Sequence, residues 1–346
     1  VVMKPRRNDT EDNSFVIRQS SLKSWRKCRK EYHFKYVERI EPKKPKKPLI
    51  RGTIIHEMIE AHINGKDPWA VYRNYEKLYG KLFREEQEIY GTLLEDIELI
   101  MQNYFLWWER DPIKYLLNKR TGSRAEHDFE VDLGRGIKQK GTIDSVGTSR
   151  DGRTWLVEHK SVTSLPTDLY RYSDIQSVTY TQVVPTLGFP KVDGVCWNYI
   201  RAKPPTVPDL LKKGELTRSN IDTTWDVYLA AIKRHKLDPD DYKDMQAKLK
   251  GAEKKFFLRV YLPVKPVIVS NVMAEVMQTA REMAELHDRP ETHVRNITRD
   301  CHWCSYGNLC RAELSGLDAD FIRKADFKVT KGKDHEVEKK ARLQDE

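Results

Sequence analysis

Three of the chain's five cysteines fall within ten residues, in "CHWCSYGNLC" from Cys301 to Cys310. Thiols crowded that tightly form a ligand pattern, and the pattern is incomplete: C-x2-C-x5-C offers three ligands where zinc ribbons and iron–sulfur clusters use four. Cys196 lies in the apolar, strand-like run "VDGVCWNYIRA" and reads as a buried structural thiol. The remaining candidate is Cys28, about 270 residues upstream in "SWRKCRKEYHFKY". If Cys28 completes the set, any fold of this chain must bring its N-terminal and C-terminal segments to one centre. Closing so long a loop stabilises the fold. Spacing leaves an iron–sulfur cluster and zinc both open.

An odd and small number of cysteines does not make a secreted disulfide framework; a reducing cytoplasm is the expected compartment. The polar opening "MKPRRNDTEDNS" does not read as a secretory signal. No apolar run of about eighteen residues occurs, so no membrane span is expected. The net charge of +10 favours polyanionic partners, nucleic acid first. Lys and Arg are spread along the chain, so a basic face has to be assembled by folding. At 346 residues the chain has ample length for a core.

The pattern "SSLKSWRKCRKEYHFKYVERI" (20–40) predicts a helix, with Leu22, Trp25, Tyr32 and Tyr36 at helical spacing. "EPKKPKKP" (41–48) reads as a solvated linker and "IIHEMIEAHI" (54–63) as a second amphipathic helix. Residues 68–118 stay helical, with aromatic residues at 104–108 that suit a core. From about 124 the period changes to two. "AEHDFEVDL", "GIKQKGTIDSVGTS" and "TWLVEHKSV", separated by turn signals, predict an antiparallel meander. "SDIQSVTYTQVVPTL" is helical and "VDGVCWNYIRA" a strand. The Pro- and Lys-rich 203–255 reads as an insertion, "KKFFLRVYLPV" as a strand and "VSNVMAEVMQTAREMAELHD" as a long helix. The expected organisation is a flexible N-terminus (1–17), one domain (18–323) with its catalytic core at 124–200, and a charged, disordered tail (324–346).

The meander carries the chemistry. In "TWLVEHKS" a period of two puts Glu158 and Lys160 on one strand face and His159 on the other. A carboxylate and an ammonium on an otherwise apolar strand cost desolvation energy unless something pairs with them. A hairpin would bring Asp144, in "GTID", beside Glu158. Two hard oxygen ligands and a lysine suit phosphodiester hydrolysis assisted by Mg²⁺ or Mn²⁺. A cross-strand ion pair on a solvated sheet face would show the same residues. His56, in "RGTIIHEMIE", sits near a helix start and would add a nitrogen ligand that tilts preference toward Mn²⁺. "HEMIEAH" is not the zinc-protease pattern, because four residues separate Glu57 from His62. Gln176 and Tyr180, four apart on one helix face, could reach phosphate oxygens or the lysine.

Taken in order, the lone cysteine after "S-x-L-x-x-W", then "RGTIIH", "GTID", "EHK", "Q-x-x-x-Y" and C-x2-C-x5-C resemble the PD-(D/E)xK nucleases of the RecB type. Within these the chain is similar to the iron–sulfur subgroup, which includes the AddB nuclease domain, the CRISPR adaptation nuclease and stand-alone phage members. The resemblance covers about 18–312. It implies an α/β fold with a central mixed sheet flanked by helices, and a clip joining 18–40 to 296–312. It implies metal binding by His56, Asp144, Glu158 and the His159 carbonyl, Lys160 as catalytic lysine, and Gln176 and Tyr180 as accessory residues. Cys28, Cys301, Cys304 and Cys310 would hold a [4Fe–4S] cluster, with zinc as the alternative occupant. Relatives often have Pro after the first cysteine, where this chain has Arg29. No P-loop motif occurs, so no motor is expected. The implied activity is a metal-dependent DNA exonuclease acting on single strands or ends in recombination, repair or end processing. The alternative is a non-catalytic DNA-binding protein that keeps the fold. A homo-oligomer or a recombination partner is compatible with the resemblance, and a phage member would work in its host's cytoplasm.

Overall fold

The computed structural model describes residues 14–108, 112–167, 170–171 and 174–330. Its strands are β1 (Phe15–Arg18), β2 (Ile40–Pro42), β3 (Lys114–Tyr115), β4 (Ala125–Gly134), β5 (Ile137–Thr148), β6 (Thr154–Val162), β7 (Gly194–Arg201), β8 (Phe257–Pro263) and β9 (Phe327–Val329). The chain divides into two compact units. One takes 1–45, 129–141 and 273–346, the other 46–128 and 142–272. The division passes through β4, β5 and the helix Pro266–Leu286.

The unit built from 46–128 and 142–272 contains a mixed sheet. β5 and β6 are antiparallel from Ser145↔Val157 to Thr148↔Thr154, β6 and β7 parallel from Trp155↔Gly194 to Val162↔Arg201, and β7 and β8 antiparallel. A parallel neighbour needs a crossover, and the helix Ile175–Val183 lies in that connection. β7 is buried from Gly194 to Ile200, as expected of a strand covered on both faces. Gly194 is required there by close approach: a Cβ would lie 2.1 Å from the Leu262 carbonyl oxygen on β8. The helices Lys47–Ile63 and Leu93–Trp108 pack Ile54, Met58, Ile97, Met101 and Tyr104 against Ile200 and Phe257 of the sheet. Those positions recur at three and four residues, so each helix buries one stripe. The stretch 203–255 has its own small core of Leu216, Tyr228, Ile232, Tyr242 and Met245.

In the other unit β1 runs parallel to the first part of β5, and β2 pairs antiparallel with β9. Phe34, Ile40, Tyr306, Leu309 and Phe327 form its core. Here three expectations change. The single helix over 20–40 is broken: Gln19–Lys27 stops at Cys28, whose φ of −162° and ψ of 114° are extended, and a helix restarts at Arg29. Asn296 holds the break, since its Nδ2 donates to the Lys27 carbonyl at 2.9 Å and satisfies a helix-end acceptor. Arg29 therefore occupies a first helical turn position, one that tolerates proline. Second, the charged segment after 324 is not unstructured throughout. Phe327 buries itself with its ring stacked 5.4 Å from Tyr306, and β9 follows from that anchor. Residues 331–346 lie outside the described residues. Third, Phe15–Arg18 forms β1 where a flexible N-terminus was expected; residues 1–13 lie outside the described ones. No helix among the described residues is long and apolar enough to cross a membrane.

Candidate active site and cysteine pocket

The β5–β6 ladder ends at Ser145↔Val157, and the next residues in that register are Asp144 and Glu158. Asp144 Oδ2 accepts the His159 backbone N–H at 2.7 Å, so a side chain takes over where the ladder stops. Glu158 is fully buried. Its Oε2 accepts from Lys160 Nζ at 3.1 Å and from Gln176 Nε2 at 3.2 Å. Gln176 comes from the first turn of the crossover helix, whose cap Asp174 accepts from the Ser177 N–H at 3.0 Å. Tyr180 lies one turn further along and is buried. His56, on the helix Lys47–Ile63, brings Nδ1 to 3.9 Å from Asp144 Oδ2. The sequence-predicted residues Asp144, Glu158, Lys160, Gln176 and His56 thus converge on the end of one ladder.

The sequence reading missed Glu126. One ligand atom each from His56, Glu126 and Asp144 lie within 4.8 Å of one another, the one such trio among the described residues. Glu126, the second residue of β4, has φ of 53°, a left-handed conformation that is uncommon for a residue with a Cβ. In "AEHDF" the alternation buries Ala125, His127 and Phe129, which assigns Glu126 to the outer face. No residue pattern announces the backbone turn that carries it to the site.

Electrostatics distinguish the groups. Burial pushes the Glu158 carboxyl up; Lys160 opposes that and the Asp144 charge adds to it. Burial works against the Lys160 charge, but Glu158, Asp144 and Asp174 outweigh it and hold the ammonium above its ordinary value. His159 is held well below the imidazole range by burial, then by His56 and Lys160. Its environment also fixes its tautomer. Arg259 Nε can only donate, and it reaches Asn198 Oδ1 at 3.3 Å. Asn198 Nδ2 therefore faces His159 Nδ1 at 2.7 Å and the Tyr104 hydroxyl at 2.6 Å. Nδ1 of His159 is the acceptor, and Nε2 carries the proton.

The donor set fits a hard divalent cation. Two carboxylates and one imidazole, from Glu126, Asp144 and His56, come within 4.8 Å of one another, and Glu158, opposite Asp144 in the strand register and held by Lys160, keeps Oε1 buried with no protein partner. A buried carboxylate oxygen without a donor costs free energy that a bound cation removes.

In the other unit, Cys28, Cys301, Cys304 and Cys310 line one cavity of about 210 Å³, together with Lys27, Lys30 and Arg295. None is in a disulfide. The Asn296 N–H points at Cys28 Sγ (3.5 Å), the Thr298 N–H at Cys301 Sγ (3.5 Å) and Arg295 Nε at Cys310 Sγ (3.2 Å). Burial pushes the Cys304 thiol up, with Glu31 and Cys28 adding to it and the Tyr306 N–H opposing. Cys196 is apart from this pocket and fully buried on β7.

A family model described as "PD-(D/E)XK nuclease superfamily" matches residues 18–311. No curated protein matches the chain. Among solved structures, the one titled "Crystal structure of SSO0001" is similar at 12% identity and a TM-score of 0.31, covering 88% of this chain and 89% of that one.

Proposed function

This chain belongs to the PD-(D/E)XK nuclease superfamily, and on that premise we propose that it is a metal-dependent deoxyribonuclease that works on single-stranded DNA or DNA ends. The observation that carries the reading is the convergence of Asp144, Glu158, Lys160 and His56 where β5 and β6 stop pairing. His56, Asp144, Glu158 and the His159 carbonyl would hold Mg²⁺ or Mn²⁺, with Glu126 as a further carboxylate ligand. When bound, the cation supplies charge neutralisation at the scissile phosphate and a more acidic water.

The chain's own groups do the rest. Gln176 and Lys160 both hold Glu158 Oε2, which fixes the carboxylate and leaves Oε1 to turn toward the centre. Lys160 keeps its proton at neutral pH, so Nζ acts as a hydrogen-bond donor. It orients the attacking water and stabilises negative charge as it develops on the phosphate. The His159 N–H holds Asp144, so one peptide of β6 positions both carboxylate ligands. Tyr180, one turn along the same helix, is the accessory residue that anchors this helix by burying its ring.

We further infer that the four cysteines hold a [4Fe–4S] cluster, in keeping with the resemblance to the iron–sulfur subgroup of RecB-type nucleases. Tetrahedral zinc at 2.3 Å would bring thiolates to about 3.8 Å from one another. A cubane spreads its thiolates over four irons, and the four cysteines here line one cavity of about 210 Å³. N–H donors on three sulfurs and lysines at the rim suit an anionic cluster.

The deciding experiment is degradation of end-labelled single- and double-stranded DNA, and of RNA, with Mn²⁺, Mg²⁺ or EDTA, on protein purified without oxygen. Cleavage that needs the cation and vanishes in Lys160→Ala is expected. The label gives the polarity. DNA binding without cleavage of any substrate would sink the enzymatic reading in favour of a non-catalytic binding protein. Iron content and a brown colour test the cluster against zinc.

A further inference from the structure

Arg51 has no ion-pair partner among the described residues, and its Nε is buried without a protein acceptor. By contrast, Arg201 pairs with Asp222 at 2.8 Å and Arg218 with Asp244 at 2.7 Å. Arg51 lines an open groove of about 590 Å³ with Asp96, Thr163, Lys203, Pro204 and Thr206. The groove lies where two functional elements end. Arg51 is five residues before His56 on the same helix, about 7.5 Å along its axis. Thr163 is three residues past Lys160, at the first position beyond the end of β6. Lys203 is largely exposed and only 3.9 Å from Asp222, a carboxylate already engaged by Arg201.

We propose that this groove is a second phosphate subsite, which grips a backbone phosphate of the nucleic acid a few nucleotides from the scissile bond. Arg51 is the anchor, Lys203 adds charge, and the Thr163 and Thr206 hydroxyls donate to the remaining oxygens. The proposal rests on the nuclease reading and names where its substrate lies. Asp96 is the one acidic residue on the lining. Its carboxylate accepts from the Thr92 hydroxyl at 3.4 Å, and its charge opposes an anion in the groove. Three residues therefore carry signed expectations: removing Arg51 or Lys203 weakens binding, and neutralising Asp96 strengthens it.

The test is fluorescence anisotropy of a labelled single-stranded oligonucleotide on the full chain in EDTA, over a salt series. Arg51→Gln should bind about tenfold more weakly, the loss of one charged hydrogen-bonding contact. Its log–log salt slope should shrink by about 0.7, one phosphate on a single strand. Lys203→Gln should move both quantities the same way, and Asp96→Asn should tighten binding. If Arg51→Gln does not fold, Arg51→Lys with Lys203→Gln carries the test, because the lysine keeps the slope while losing the fork-shaped contact. Oligonucleotides with and without a 5′-phosphate separate a backbone phosphate from a terminal one. An Arg51 effect confined to the phosphorylated probe overturns the backbone assignment. Wild type that binds and cleaves, with all variants matching it, overturns the subsite alone. Wild type that neither binds nor cleaves overturns the nuclease reading and the subsite with it.

Discussion

Asn198→Leu should destabilise this protein by about 3 kcal/mol and slow it as an enzyme. Asn198 is completely buried and serves three partners: Arg259 Nε, the Tyr104 hydroxyl and His159 Nδ1. Leucine has nearly the same volume, so packing is preserved and the polar loss is isolated. Tyr104 and His159 are buried and each loses its bond at about 1–3 kcal/mol, while Arg259, half-buried and still bonded to the Tyr115 hydroxyl, loses about 1 kcal/mol. Leucine's extra apolar burial returns about 1–2 kcal/mol, which leaves the stated net. The consequence reaches the site because the His159 N–H holds Asp144. A ring free to turn loosens that peptide and the carboxylate with it. Urea unfolding gives the stability difference. Steady-state cleavage should show kcat down at least about tenfold, by the loss of positioning, with KM for DNA unchanged. A stability loss below about 1 kcal/mol would refute the tautomer assignment and the ranking of Asn198 as a hub.

Glu126→Gln should weaken Mn²⁺ binding at least about tenfold by calorimetry, with the fold intact by circular dichroism; unchanged affinity would remove Glu126 from the ligand set. Cys28→Ser should yield protein with little iron, no brown colour and a lower Tm, because the clip then lacks its N-terminal half. Acid stability should depend on Glu38. Burial alone would raise its pKa, but hydrogen bonds from His33 and Arg323 outweigh that and hold it below its ordinary 4.5. A carboxyl with a lowered native pKa binds fewer protons folded than unfolded, so its stabilisation is complete above pH 4.5 and disappears as pH falls through the native value. Urea midpoints measured against pH should therefore decline more shallowly below 4.5 in Glu38→Gln than in wild type, and parallel curves would refute the assignment.

Much of this was legible in the residues. Alternation placed β4 and the first half of β5, each with one covered face, whereas β7 was legible as the continuous apolar run expected of a strand covered on both faces. "GTID" and "LVEHKS" marked the carboxylates and lysine as candidates, since charges inside an apolar strand cost desolvation energy unless something pairs with them; the residues alone left a plain cross-strand ion pair equally open. What stayed hidden depends on backbone conformation. The chain break at Cys28 is made by Asn296, far away in sequence, and helical periodicity runs straight through it. Glu126 reaches the site through a positive φ, and alternation assigns it to the wrong face. Arg51 looked like an ordinary helix arginine. What marks it, a buried Nε with no protein acceptor, is a property of the fold and has no sequence signature.

The unit that holds the cysteines is assembled from the first 45 residues, a short middle stretch and everything after 272. A ribosome delivers these pieces in order. Cys28 is made early and must wait for Cys310, which at typical synthesis rates takes roughly 15–55 s. During that interval the thiol and Phe34 lack Tyr306, Leu309 and Phe327, while all the candidate acidic ligands are translated. A message cut or a ribosome stalled before the Cys310 codon thus leaves a chain with every candidate catalytic residue and no closed pocket. Closure of the pocket therefore reports that translation has run through to the last cysteine.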